Sequence, residues 1–247
     1  MKTFRADLHI HTLLSPCGDL EMSPDVILAK AREKNLDLIG ITDHNSTRQC
    51  RVIREMGADC GITVLTGAEV TTLEEAHCLV YFDTFCQLND FQKFLDIHLP
   101  NLKNDVKKFG YQVYVDALNN IKGAEERLLI NALDASIDEV EKEVHRLNGL
   151  FIPAHLDKQR FSIISQLGFL PPDLKVDALE ISPFTSPDEW VSGHPEHKKY
   201  CLISGSDAHY PDQIGTRITG FIMNRVNFEE IRNALKGESN REVIIMN

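Results

Sequence analysis

An α/β barrel is the fold class that the sequence predicts, and three observations carry the prediction. The chain has 247 residues, a length that suits one large domain around one core. Short apolar runs alternate with amphipathic stretches, the pattern of strands joined by crossover helices in a parallel sheet. Nearly every expected strand also runs into histidines or carboxylates, and a barrel gathers its strand ends on one rim.

The elements follow in order. Residues 4–8 read as a strand. Ser23-Pro24 marks a helix start, because serine can accept from first-turn N–H groups and proline at the next position has no donor to lose. Val26, Ile27 and Lys30-Ala31 continue that helix to Asn35. Residues 38–42 and 62–66 are two buried strands. Ser136-Ile137-Asp138-Glu139 is a capping box, in which serine and glutamate each satisfy a backbone donor of the other. Ile137, Val140, Val144 and Leu147 then line one helical face, Gly149 ends it, and residues 150–152 form the next strand. Residues 177–181 and 200–203 are further strands. A last unit runs from 221–223 through a helix at 228–236 to a strand at 243–245. Residues 101–131 mix charges with Tyr111, Val113 and Tyr114. They form either an insertion that shapes substrate access or two barrel helices, and helices are favoured. No repeat, low-complexity tract or linker is evident, so residues 1–247 are expected to form a single domain.

Composition narrows the function. The apolar fraction of 43% and charged fraction of 26% are those of a soluble globular protein. The start, Met1-Lys2-Thr3-Phe4-Arg5-Ala6-Asp7, is too polar for a secretory signal. No apolar run approaches the roughly 20 residues that span a bilayer. A cytoplasmic protein with no membrane partner is expected. None of the six cysteines forms a C-x-x-C pair, so reduced thiols are expected rather than a disulfide framework. A net charge of −11 disfavours nucleic acid as partner but is compatible with a small phosphorylated substrate, since bound cations reverse the local field.

The strand ends carry the chemistry. Asp7-Leu8-His9-Ile10-His11 places two imidazoles two residues apart, on one side of an extended segment and able to face one ion. Later strands lead into Asp43-His44-Asn45, Gly67-Ala68-Glu69, Ala154-His155 and Ser206-Asp207-Ala208-His209. Imidazole suits zinc, iron and manganese, and a carboxylate can bridge two ions; Glu69 is the natural bridge. His98, at a helix end, His145, on a charged helix face, and His194 and His197, in a solvated loop, are left outside the site.

These segments, in this order, resemble the PHP (polymerase and histidinol phosphatase) family of metal-dependent phosphoesterases. The resemblance implies a distorted barrel of seven β/α units holding two or three divalent ions (zinc, manganese or iron). It implies that His9, His11, Glu69 and Asp207 surround one ion. His44 and His209 would take a second with a ligand from the next loop, and His77 and His155 a third, with Glu69 bridging. His77 precedes an apolar run instead of ending a strand. For the loop ligand Asp19 is favoured over Cys17, because a carboxylate suits these metals and does not risk thiol oxidation. Asp7 and Asp43 are expected to orient nearby histidines.

The expected reaction is hydrolysis of a phosphate ester by a metal-bridged hydroxide, with no side-chain nucleophile. Arg48, Lys158, Arg160 and Arg217 are candidate phosphate contacts. Besides a noncatalytic metal-binding scaffold, two rival activities remain open. One is an amidohydrolase cleaving C–N bonds, which also opens with H-x-H. The other is a nucleic-acid exonuclease or polymerase-associated module.

Overall fold

The computed structural model describes residues 1–246. In chain order its elements begin with strand β1 (Lys2–Ile10), helix α1 (Pro24–Glu33), β2 (Leu38–Ile41), α2 (Cys50–Cys60), β3 (Thr63–Thr71) and β4 (His77–Phe82). Next come α3 (Phe85–His98), the single turn α4 (Val106–Phe109), the hairpin strands β5 (Val113–Val115) and β6 (Ile121–Ala124), and α5 (Ile137–Arg146). The remainder is β7 (Leu150–Pro153), α6 (Ile163–Leu167), β8 (Leu179–Glu180), α7 (Pro187–Gly193), β9 (Leu202–Ile203), β10 (Ile218–Met223), α8 (Phe228–Leu235) and β11 (Glu242–Met246).

Seven strands form one curled sheet in the order β11-β10-β1-β2-β3-β4-β7, with β8 and β9 paired separately. This is a distorted α/β barrel. Its sheet is mixed, not parallel throughout. β1, β2 and β3 run parallel, whereas β3–β4, β4–β7, β1–β10 and β10–β11 are antiparallel. The short connection between β3 and β4 allows only an antiparallel neighbour, since a parallel one requires a crossover of a dozen or more residues. The reversal matters for the site. His77 begins β4 opposite Thr71 at the end of β3, so a strand's first residue reaches the same rim as the last residues of the parallel strands.

Both faces of the sheet are apolar, as a covered sheet requires. Ile39, Ile41, Val64, Val80, Phe82 and Phe151 pack in one buried cluster with the helices that flank the sheet, including Ile27 of α1, Ile53 of α2, Phe91 of α3 and Val140 of α5. Phe4, Leu8, Leu38, Tyr81, Ile152 and Phe221 form the other, with Phe228 and Ile231 of α8. Each such side chain contributes about 1.5–3 kcal/mol by leaving water. Strands β1 and β2 approach so closely that a Cβ at Gly40 would lie 2.2 Å from the Leu8 carbonyl oxygen.

Local signals were mostly well placed. Ser136 and Glu139 form the expected reciprocal cap of α5. Ser23 precedes α1, but its hydroxyl donates to Asp25 (2.6 Å) and makes no cap to the helix backbone.

The helices expected within residues 101–131 are absent, apart from α4. The segment is chiefly the β5–β6 hairpin. Val113-Tyr114-Val115 favours a strand, and Asp116 accepts from the Leu118 and Asn120 N–H groups to close the turn. Gln49 fastens the hairpin to α2 through both the N–H and the carbonyl of Val115. His197 also departs from expectation. It is buried in a short 3-10 turn, because the Trp190, His194 and Tyr200 rings pack around it. All six cysteines are free thiols. Among the described residues, no helix is long and apolar enough to cross a membrane.

Candidate metal centre

Strand ends bring six histidines, two carboxylates and one thiol together. Their donor atoms form three overlapping groups: His9, His11, Glu69 and Asp207; His11, Cys17, His44 and His209; and His44, Glu69 and His77. Glu69 lies at the middle, 1% exposed. Its oxygens are 2.9 Å from His77, 3.1 Å from His155, 3.2 Å from His44, 3.3 Å from His11 and 3.4 Å from His9. Ala208 bridges to β1 by donating to the His9 carbonyl and accepting from the His11 N–H, which carries Asp207 and His209 to the H-x-H pair.

Hydrogen bonds fix which ring nitrogens face inward. The Ser15 hydroxyl donates to Asp43 (2.6 Å), so its lone pair accepts from His11 Nδ1–H (3.0 Å). Glu180 accepts from His9 Nδ1–H (3.0 Å). In their neutral forms both rings therefore present an unprotonated Nε2, and these two atoms face each other at 3.2 Å. The Asp207 carbonyl accepts from His209 Nδ1–H (2.8 Å), which likewise leaves His209 Nε2 without a proton. Lone pairs so arranged need a cation between them.

The distances fit one. Two ligands about 2.1 Å from a shared ion, at about 90–110° to each other, lie about 3.0–3.4 Å apart. His9 and His11 Nε2 stand 3.3 and 3.4 Å from Asp207 Oδ1, in that range. His44 Nδ1 and His155 Nδ1 are buried without a hydrogen-bond partner. The residues present therefore suit divalent ions, and neutral imidazoles and ionised carboxylates are the forms that bind them.

Electrostatics agree. Burial would raise Glu69, yet His77, His9 and His44 hold its pKa well below the usual range. Burial would likewise raise Asp207, but His9 and His11 hold it well below. Burial would lower His9, but Glu180, Asp207 and Glu69 lift it well above normal. The pocket thus favours positive charge at His9, as a proton or as a metal that displaces it. His44 and His209 are pushed down, chiefly by burial, His209 to about 4.

The loop residues reverse one expectation. Cys17, not Asp19, joins His11, His44 and His209. Asp19 turns away: its carboxylate accepts from the Glu21 N–H (2.8 Å) and lines a separate cleft with Ser23, Lys30 and Asp212. The turn spends that carboxylate on its own backbone. Desolvation beside the cluster and the Glu69 carboxylate push the Cys17 thiol up, although the residue as a whole is exposed, so a bound metal is what would leave it a thiolate near neutral pH. Cys17→Ser should lower metal content measured by mass spectrometry, while Asp19→Asn leaves it unchanged. The opposite ranking would return the ligand role to Asp19.

The outer residues divide similarly. Asp43 accepts from Thr12 N–H and from the hydroxyls of Thr12 and Ser15, so it orients His11 through Ser15. Asp7 touches no imidazole. It accepts from the Ser206 and Gly215 N–H groups (3.0 and 2.8 Å) and ties the Asp207 loop to β1, with burial raising its pKa to about 6. Glu180, absent from the sequence reading, holds His9 and also accepts from the His155 N–H (3.1 Å). A Cβ at Gly205 would lie 2.8 Å from the His9 Cβ, so glycine lets the loop close over this pair.

A cavity of about 570 Å³ opens onto the cluster, lined in part by Ile130, Lys158, Arg160 and Phe161. Lys158 pairs with Asp207. Burial would lower its pKa, but Asp207 and Glu69 raise it, so it is charged. Arg48 lies elsewhere, bonded to Asp96 (2.7 Å), because α3 offers it a carboxylate. Arg217 is outside the cavity lining and reaches Ser204 Oγ and the Thr185 carbonyl.

Comparison with known proteins completes the picture. The PHP domain profile matches residues 7–167. YqxK, an uncharacterised protein of Bacillus subtilis strain 168, is 26% identical over 277 aligned positions, which cover 99% of this chain and 65% of YqxK. The lesion-specific endonuclease EndoQ of Pyrococcus furiosus superposes with a TM-score of 0.74 at 22% identity, over 98% of this chain and 58% of EndoQ. A candidate metal-dependent phosphoesterase of Bifidobacterium adolescentis gives a TM-score of 0.58 at 20% identity, over 94% of this chain and 96% of its own. The chain therefore spans less than two thirds of the length of YqxK and of EndoQ. With the profile running from the H-x-H strand through the His155 loop, more than half of its length, this chain belongs to the PHP-domain family.

Proposed function

We propose that the protein hydrolyses the phosphate ester of a small phosphorylated metabolite or nucleotide. The observation that carries this reading is the juxtaposition of the buried Glu69–histidine cluster with Lys158 and Arg160 in one cavity wall. A phosphomonoester is a compact dianion, and its oxygens need cations on more than one side. Divalent ions held by His9, His11, His44, Glu69, His77, His155, Asp207 and His209, with Cys17 at the loop position, would polarise the phosphoryl group and activate water near neutral pH.

The chain's own groups account for the rest. Glu180 and Ser15 hold His9 and His11 with their Nε2 atoms turned inward. Lys158 keeps its charge at the cavity wall beside Asp207, where its ammonium would help hold a phosphate oxygen. Arg160, exposed at the mouth, can meet the same anion as it enters.

A nucleic-acid phosphodiester is the second reading. EndoQ has been crystallised with a 27-mer duplex carrying an abasic lesion at its active site, and its fold covers nearly all of this chain. The net charge of −11 weighs against it here. A panel reconstituted with manganese, iron or zinc decides between them. Sugar phosphates and nucleoside monophosphates should turn over faster than duplex DNA with or without an abasic site. Cleavage of duplex alone would install the nuclease reading, and turnover of amides alone would replace both with C–N hydrolysis.

A further inference from the structure

We propose that Phe161 is the specificity-determining platform of this cavity, on which a planar, unsaturated part of the substrate's leaving group stacks while its phosphate meets the metal centre. The proposal rests on the phosphoester reading above and names the substrate's other half.

Phe161 occupies a left-handed backbone conformation (φ +61°), costly for a residue of this size. Strain of this kind persists only where surroundings impose it, and it clusters at functional sites. Both sides of the residue are fastened. Its carbonyl accepts from the His77 N–H (2.7 Å). Ser162, fully buried, donates to the Lys158 carbonyl (2.8 Å) and accepts from the Ser165 N–H (3.0 Å) to begin α6. Two candidate ligands share the unusual conformation, His155 (φ +30°) and Asp207 (φ +52°), so Phe161 belongs to the strained rim of the site.

The side chain is placed for contact. One face of the ring stacks on His77, with centroids 4.8 Å apart and planes 14° apart. Phe161 nevertheless stays 42% exposed and lines the cavity. Part of its uncovered surface is therefore cavity wall, beside Arg160 and the cluster. An aromatic ring held in a costly conformation and left partly wet has a use if it stacks on a flat ligand. Ile130 lines the same cavity. It is presented by the segment that Asn45 anchors through the carbonyls of Leu129 and Asn131.

Adenosine 5′-monophosphate and ribose 5-phosphate share the same leaving oxygen and differ in the base. Wild-type kcat/KM should favour the first. Phe161→Leu should cut that preference about tenfold, the lower range of one lost base–aromatic stack, while Phe161→Trp keeps it. Phe161→Asn, which tolerates the left-handed conformation, should lose the preference with Tm unchanged or raised. A 5′-phosphorylated oligonucleotide distinguishes a nucleic-acid end from a free nucleotide as the source of the base. Equilibrium dialysis of adenosine against ribose supplies a readout independent of turnover. If Phe161→Leu slows both monoesters equally, or wild type shows no preference, the platform is overturned and Phe161 merely supports His77. If no phosphoester is cleaved but adenosine still binds and Phe161→Leu abolishes that binding, the platform stands and the hydrolysis reading falls.

Discussion

Glu69→Gln is expected to strip the centre of metal and to lower kcat/KM by about a thousandfold or more, beyond the roughly 10- to 100-fold cost of loosening an outer partner. The substitution keeps shape and removes charge. One carboxylate lies within 3.4 Å of His9, His11, His44, His77 and His155, and two of the three donor groups include it. An amide offers one weak oxygen donor where a carboxylate offers two and can bridge. Glu180→Gln is the graded comparison. It weakens the hold on His9 but leaves every inward-facing donor in place, so its effect should fall in the 10- to 100-fold class. Metal content by mass spectrometry and steady-state kinetics on the same preparations check both. A Glu69→Gln protein with full metal content and near-normal turnover would remove Glu69 from the centre.

Chelation is expected to lower Tm by about 8–16 °C. A ligand at a thousand times its Kd stabilises the folded state by about 4 kcal/mol, and a domain of this size shifts about 2–4 °C per kcal/mol. The structural reason is that the cluster is unsatisfied on its own. Unprotonated nitrogens of His9 and His11 face each other, and Nδ1 of His44 and of His155 makes no hydrogen bond, although the Glu69 carboxylate lies 3.2 Å from that of His44. Left-handed backbone at His155 and Asp207 adds to what bound ions must hold. Differential scanning fluorimetry with a chelator, followed by manganese, zinc or iron, should show the loss and its recovery. A fully metal-depleted protein with unchanged Tm would show that the donors are preorganised by packing alone.

How far the sequence reveals the site depends on how local each signal is. His9 and His11 are legible because alternation along a strand is a two-residue rule, and Asp207 and His209 for the same reason. Glu69 and His155 follow once the strands are placed, since strand ends share a rim. His77 is obscure because strand direction leaves no local mark; only the antiparallel pairing of β3 and β4 puts a first residue where last residues gather. Cys17 and Asp19 cannot be ranked by ligand preference. Their order is decided by a turn in which Asp19 bonds to its own neighbour's backbone. Glu180 is invisible for another reason: it sits in a two-residue strand and meets His9 across 171 positions. The hairpin at β5–β6 was hidden by the charged residues around it, which read as helical surface.

The pairing of β1 with β10 has a consequence for how the protein comes into being. Strand β1 pairs with β2 on one side, but its residues 2–6 find their partners on the other only at 219–223, so that second edge of β1 stays open until β10 has been made. Contacts this distant in sequence form slowly, because loop closure precedes any reward. Asp207 and His209 arrive just before that closure, and Ala208 then bonds on both sides of the H-x-H strand. Until β10 is made, the chain thus exposes one edge of β1 and an incomplete set of candidate ligands. Metal loading of the proposed centre would then be a late event in maturation, and a chain interrupted before β10 would expose both hazards together.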